Sequence, residues 1–162
     1  MARIEIVEGY DRPDEIRELF DEYTKYLVDN SPEFAAYLEI QHYDNEVADL
    51  RSKYGRPGGR LWLACVDGKP AGCSALRRMS DTDCEYKRLY VRPEYRGLNL
   101  GRTLMEKIIA DSREAGYEYG YLDTLPFLEA ACHMYEEMGF EVIPAYNDSP
   151  LASTIFMRLK LR

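Results

Sequence analysis

Histidine is nearly absent from this sequence. Only His42 and His133 occur among 162 residues, too little material for a histidine metal cluster or a Ser-His-Asp triad. Cys65, Cys73, Cys84 and Cys132 form neither a zinc pattern nor a Cys-x-x-Cys pair, so they are expected to be buried thiols. Charge of one sign is also short: 21 Lys and Arg stand against 29 Asp and Glu, a net −8. With no block of basic residues, nothing offers a footprint for a phosphate backbone, which excludes nucleic acid as a partner. Long apolar runs are missing too. The longest, Leu61 to Val66, falls far short of the ~20 residues that span a bilayer, and the opening Met-Ala-Arg-Ile-Glu has no signal-peptide apolar stretch. The expectation is a cytoplasmic protein without membrane contact and without a metal.

What remains has the composition of a globular protein: 46% apolar and 31% charged residues, with no repeat, linker or low-complexity tract. Residues 1–162 are therefore expected to form a single domain, and a chain of this length buries roughly 68–70% of its unfolded surface. Arg3 to Val7 alternates like a strand. Asp11 and Pro13 start a helix whose apolar positions Ile16, Leu19, Phe20, Tyr23 and Leu27 repeat at helical spacing. Ser31-Pro32-Glu33 opens further helix to about Leu50. After Arg56-Pro57-Gly58-Gly59, the segments Leu61 to Val66 and Ala71 to Arg78 read as a hairpin turning at Asp67-Gly68, with Cys84 to Val91 as a third strand. A helix from about Gly101, a strand from Tyr117 to Thr124 and a helix from Phe127 to Met138, stopped by Gly139, follow. Strands at Phe140 to Ile143 and Ser153 to Leu159 complete an α+β order with a mixed sheet.

One segment carries chemistry. Leu89 to Arg102 runs from a strand through a loop holding Gly97, Asn99 and Gly101 into a helix. Such a turn aims backbone N–H groups at one point beside the positive end of a helix dipole, where phosphate binds. Gly97 and Gly101 allow close approach, and Asn99 is the next best residue for positive φ. A tight strand-to-helix connection explains the same glycines without a ligand.

The run Arg96-Gly97-Leu98-Asn99-Leu100-Gly101 resembles the Arg/Gln-x-x-Gly-x-Gly/Ala acetyl-CoA motif of the GNAT acyltransferases, and Tyr135-Glu136-Glu137-Met138-Gly139-Phe140 is similar to their downstream Tyr-x-x-x-Gly-Phe. The resemblance implies the GNAT fold, a mixed sheet of about seven strands flanked by about four helices, and an acetyl-CoA-dependent N-acetyltransferase. It further implies that Leu89, Tyr90 and Val91 pair with the pantetheine arm through their backbones. The amides of Arg96, Gly97, Leu98, Asn99, Leu100, Gly101 and Arg102 would hold the pyrophosphate. Two residues depart from the family's pattern: Asn99 stands for the usual central glycine, and Leu128 stands where many members place a cofactor-contacting Asn.

Acyl transfer to an amine sets the remaining expectations. An alkylammonium of pKa about 10.4 must shed a proton, at about 4–5 kcal/mol at pH 7, so a base or water relay is needed. Glu85 is the candidate base, by its place in the strand entering the loop; the competing reading is a strand glutamate paired with Lys87 or Arg88. Tyr135 stands at the family's proton-donor position for the leaving thiolate, its competing reading being a core aromatic. Tyr37, Gln41, Arg77, Tyr146 and Asn147 fall in segments expected to surround the acceptor. A small-molecule amine is the expected acceptor. A peptide N-terminus or lysine, and a non-catalytic acyl-CoA-binding module, are the alternatives. Homodimers occur in the family the chain resembles, and no interface is readable here.

Overall fold

The computed structural model describes residues 1–162. A seven-stranded sheet in the order β1-β2-β3-β4-β5-β7-β6 forms its centre. The strands are β1 (Ile4–Glu8), β2 (Arg60–Val66), β3 (Lys69–Arg78), β4 (Asp83–Val91), β5 (Tyr119–Thr124), β6 (Glu141–Ile143) and β7 (Ile155–Lys160). The helices are α1 (Pro13–Asn30), α2 (Phe34–Ile40), α3 (Tyr43–Ala48), α4 (Leu50–Tyr54), α5 (Leu100–Glu114) and α6 (Glu129–Glu137).

The run Leu61 to Val66 is apolar throughout because β2 is covered on both faces. Leu61, Leu63 and Cys65 pack with Ile16, Leu19 and Phe20 of α1, while Trp62 and Ala64 pack with Leu104, Met105 and Ile108 of α5. That is the period-2 alternation of a strand meeting the i, i+3, i+4 stripe of a helix on either side. Full burial of each large side chain is worth about 1.5–3 kcal/mol, so packing on both faces anchors the middle of the sheet.

The expected element order is observed, with six helices instead of about four. The added ones, α3 and α4, arise where the second helical segment breaks twice: His42 adopts a left-handed φ of 56°, and Asp49 leaves helical geometry and accepts a 3.3 Å hydrogen bond from the Ser52 amide to start α4. Cys65, Cys73 and Cys84 are buried thiols, while Cys132 is only half-buried.

One pairing positions the site. β4 and β5 are parallel and matched only from Asp83–Tyr119 to Glu85–Tyr121, after which they part. The rest of β4 remains bonded to β3 on its other side. Its second edge from Tyr86 onward therefore faces a cleft between two strands of the same sheet.

Candidate active site

The C-terminal half of β4 leads into a loop whose amides have no work inside the protein. None of the backbone N–H groups from Gly97 to Arg102 finds a protein acceptor, whereas those of Arg96 and Thr103, on either side, bond to Pro93 and Asn99 carbonyls. Gly97 has a φ of +90° and Asn99 a φ of 62°, the left-handed turns that swing these amides to one side at the start of α5. A Cβ on Gly101 would meet only Val91 Cγ2 at 3.9 Å, so the protein itself leaves room for an approaching ligand. Arg96 and Arg102 flank the loop and line the adjoining groove of about 540 Å³, as do Leu89, Tyr90 and Val91. Leu98 contributes no more than its amide, its side chain being exposed.

The Arg92 amide donates to the Ala71 carbonyl on β3 at 2.8 Å. Strand alternation then turns the Val91 and Leu89 amides the opposite way, into the groove. A pyrophosphate at the loop and an extended amide-bearing arm along β4 match this set of free donors, so the residues present fit coenzyme A.

At its inner end the groove meets a small, partly open cavity of about 50 Å³, and Tyr23, Leu89 and Leu128 line both. The cavity is walled by Lys87 and Arg88 of β4, Asp123 of β5, Tyr37 of α2, Gln41 and Tyr135. Tyr135 is set by the end of α6: Gly139, at φ +98°, reverses the chain so that the Phe140 amide bonds the Tyr135 carbonyl at 3.0 Å. The Phe140 ring then packs 5.6 Å from that of Tyr135. Burial pushes the Tyr135 phenol well above its usual range, and its hydroxyl has no hydrogen bond within the protein. It is thus a neutral O–H donor with nothing to donate to.

Glu85 is placed differently from a free base. It is buried and on the wall of neither cavity. Arg77, its cross-strand neighbour, donates to Oε1 at 2.6 Å, and Tyr146 donates to Oε2 at 2.6 Å. Lys87 Nζ lies 3.9 Å from Oε1. Burial pushes the carboxyl up, but Lys87, Arg77 and the Tyr146 hydroxyl outweigh it and hold it below the ordinary range. Both oxygens are engaged and the carboxyl is held below its ordinary range, so in this arrangement Glu85 is a weaker proton acceptor than a free glutamate. Of the ion-pair partners considered for it from sequence, Lys87 is adjacent, while Arg88 turns to Glu46.

The residues expected around the acceptor converge, in two layers. Tyr37 and Gln41 reach the cavity wall. Tyr146, Asn147 and Arg77 lie behind it: Asn147 donates to the Tyr37 hydroxyl at 2.8 Å and to Asp123 Oδ2 at 2.7 Å, and Tyr37 donates to the same Asp123 oxygen. Glu46 and Asp123 were not singled out from sequence, and Lys87 and Arg88 only as ion-pair partners for Glu85. Arg88 has a φ of 59°, at a register shift between Cys73 and Ala75 of the facing strand. This bulge breaks the alternation and lets neighbouring Lys87 and Arg88 line the same cavity.

The comparisons agree with this geometry. Residues 14–140 match the model of the acetyltransferase (GNAT) family. An uncharacterized N-acetyltransferase of Schizosaccharomyces pombe is 37% identical over 143 residues, covering 87% of this chain and 88% of its own. Among solved structures, an acetyltransferase of Streptococcus agalactiae is 25% identical with a TM-score of 0.76, covering 98% of both chains. The PaiA N-acetyltransferase of Thermoplasma acidophilum, solved in complex with coenzyme A, has the same fold at 21% identity, with a TM-score of 0.73 over 98% of this chain and 99% of its own. The chain belongs to the GNAT family of N-acetyltransferases. No helix is long and apolar enough to cross a membrane.

Proposed function

We propose that this enzyme transfers the acetyl group of acetyl-CoA to a primary amine of a small molecule by direct attack on the thioester. The observation that carries the reading is the junction of the two cavities: a groove lined by unpaired amides meets a small, partly open chamber of about 50 Å³ walled in part by Tyr135. A chamber roofed by α1, α2 and the segment around Leu151 suits a compact acceptor better than a peptide.

The loop amides and Arg96 hold the pyrophosphate, and the β4 edge holds the arm. Bound there, acetyl-CoA supplies a thioester at the chamber mouth. The incoming ammonium loses a proton to water and its nitrogen forms the new N–C bond, while a Leu89 or Val91 amide takes the charge gathering on the carbonyl oxygen. As the C–S bond breaks, Tyr135 gives its proton to the departing sulfur and regains one released from the nitrogen. Glu85 serves as a positioning residue, fixing Arg77, Tyr146 and the Lys87 ammonium.

Calorimetric titration with acetyl-CoA, CoA and ATP tests the donor site. Saturable binding of both CoA forms, with ATP clearly weaker, is expected, followed by thiol release with small amines. Acetyl-CoA binding accompanied by turnover on peptides alone would overturn the small-molecule reading.

A further inference from the structure

The chamber wall carries two charges whose pairing within the protein is incomplete: Lys87, with one long ion pair, and Asp123, with none. Lys87 has a side chain 7% exposed, and its Nζ makes no hydrogen bond; its nearest carboxylate oxygen is Glu85 Oε1, at 3.9 Å. That oxygen is already taken by Arg77 at 2.6 Å. Asp123 has no cationic partner. Its Oδ2 accepts from Tyr37 and Asn147, both neutral donors, and its Oδ1 accepts nothing. Arg88, which also lines the chamber, is neutralised by Glu46 but keeps Nη1 free of any protein acceptor, its Nε and Nη2 being bonded to Glu46 and Gln41.

Lys87 Nζ and Asp123 Oδ1 make no hydrogen bond within the protein and are not sealed from solvent, so each is free to take a ligand group of opposite charge in a charge-assisted hydrogen bond. Lys87 and Asp123 do not pair with each other, although both line one small chamber. A molecule bearing opposite charges a few atoms apart answers both. We propose that the acceptor is a compact amino acid, whose carboxylate binds Lys87 Nζ and Arg88 Nη1 and whose amine is held by Asp123 Oδ1. This rests on the acetyltransferase reading and adds the substrate class to it. The protein as a whole carries a net charge of −8, which on its own would favour simple cations. The selectivity for a carboxylate is therefore local, made by a bulge that puts a lysine and an arginine side by side.

The test is a matched panel with acetyl-CoA as donor and thiol release as readout: α-amino acids, β-alanine and γ-aminobutyrate, each against its amide and its decarboxylated amine. The acids are expected to exceed their amides in kcat/KM by about tenfold or more, because the amide leaves the cations unpaired. In Lys87→Met the acid-to-amide ratio is expected to fall to within about threefold of unity, chiefly through the KM of the acids, while Lys87→Arg retains a preference for acids. A wild-type preference for neutral amines, or an undiminished ratio in Lys87→Met, overturns the proposal. Should Lys87→Met fail to fold, Asp123→Asn provides the second measurement: it is expected to raise the KM of acids and amides alike, and an unchanged KM counts against the assignment. Acetyl-CoA binding without turnover of any acid in the panel overturns the amino acid proposal and leaves the donor site standing, whereas absent acetyl-CoA binding overturns the reading beneath it.

Discussion

Arg88 and Glu46, from β4 and α3, meet in a buried two-pronged ion pair, with Nε 2.8 Å from Oε2 and Nη2 2.9 Å from Oε1. The side chains are 3% and 1% exposed. Burial alone would push the Glu46 carboxyl up, but Arg88 and Lys53 hold it far below the ordinary range. The Tyr43 ring lies against the guanidinium, 5.3 Å from ring centre to Cζ. The pair ties the short helices to the strand that carries the site, so the chamber wall and the fold share one electrostatic joint.

Breaking that joint from the acidic side leaves a buried guanidinium, which cannot shed its proton, without compensation. Glu46→Gln is expected to cost about 3 kcal/mol, lowering Tm by roughly 6–12 °C for a chain of this size. Thermal unfolding followed by circular dichroism measures it; a Tm within a degree or two of the parent would show that the pair contributes little.

Tyr135→Phe removes one hydroxyl that bonds nothing in the protein and keeps the ring against Phe140. Stability should therefore hold, while kcat falls by about 10²-fold, the lower end for loss of a positioned acid. The KM for acetyl-CoA should change little. Wild-type turnover in this variant would reduce Tyr135 to a core aromatic.

The loop of unpaired amides was legible because it is contiguous: a loop turning on Gly97 and Asn99 into a helix is one stretch of sequence whose conformational needs are written in its residue types. The same holds for Tyr135, placed by the Gly139-Phe140 stop. The acceptor chamber was only half legible. Tyr37, Gln41, Tyr146 and Asn147 came from segments known to converge in this fold, but their partners depend on register. Glu85 meets Arg77 because the two are opposed across β3 and β4, which no local pattern reveals. Lys87 and Arg88 were hidden by alternation itself, since a regular strand would send them to opposite faces, and an arginine in left-handed geometry has no sequence signal. Nothing in its sequence setting distinguishes Asp123 from any other polar strand residue.

Gly101 separates ligand contact from folding. Its Cβ position is nearly open within the protein, so Gly101→Ala is expected to keep Tm unchanged or raise it by the helix propensity of alanine, about 0.5–1 kcal/mol. On the proposed reading the added methyl would stand where the diphosphate approaches the free amides. The KM for acetyl-CoA should rise about tenfold with a smaller change in kcat, as expected for loss of binding shared by ground and transition states. Steady-state kinetics at saturating amine decides, and an unaltered KM would place the diphosphate elsewhere.

Acid should unfold this protein through its interior carboxylates. Burial raises the carboxyls of Glu46 and Glu85, but Arg88 and Lys53 in one case, and Lys87, Arg77 and Tyr146 in the other, bring both below their ordinary values. A folded-state pKa below the unfolded one means that the unfolded chain binds protons first. The stabilisation is then complete above the unfolded carboxylate range near pH 4.3 and drains away as pH falls through the folded values. Urea melts between pH 7 and pH 3 should show a flat plateau down to about pH 5 and a steepening loss below it. The Glu46→Gln variant, already deprived of one such group, should lose less than the parent over the same interval. Parallel slopes in the two proteins would mean that carboxylates other than Glu46 govern the acid transition.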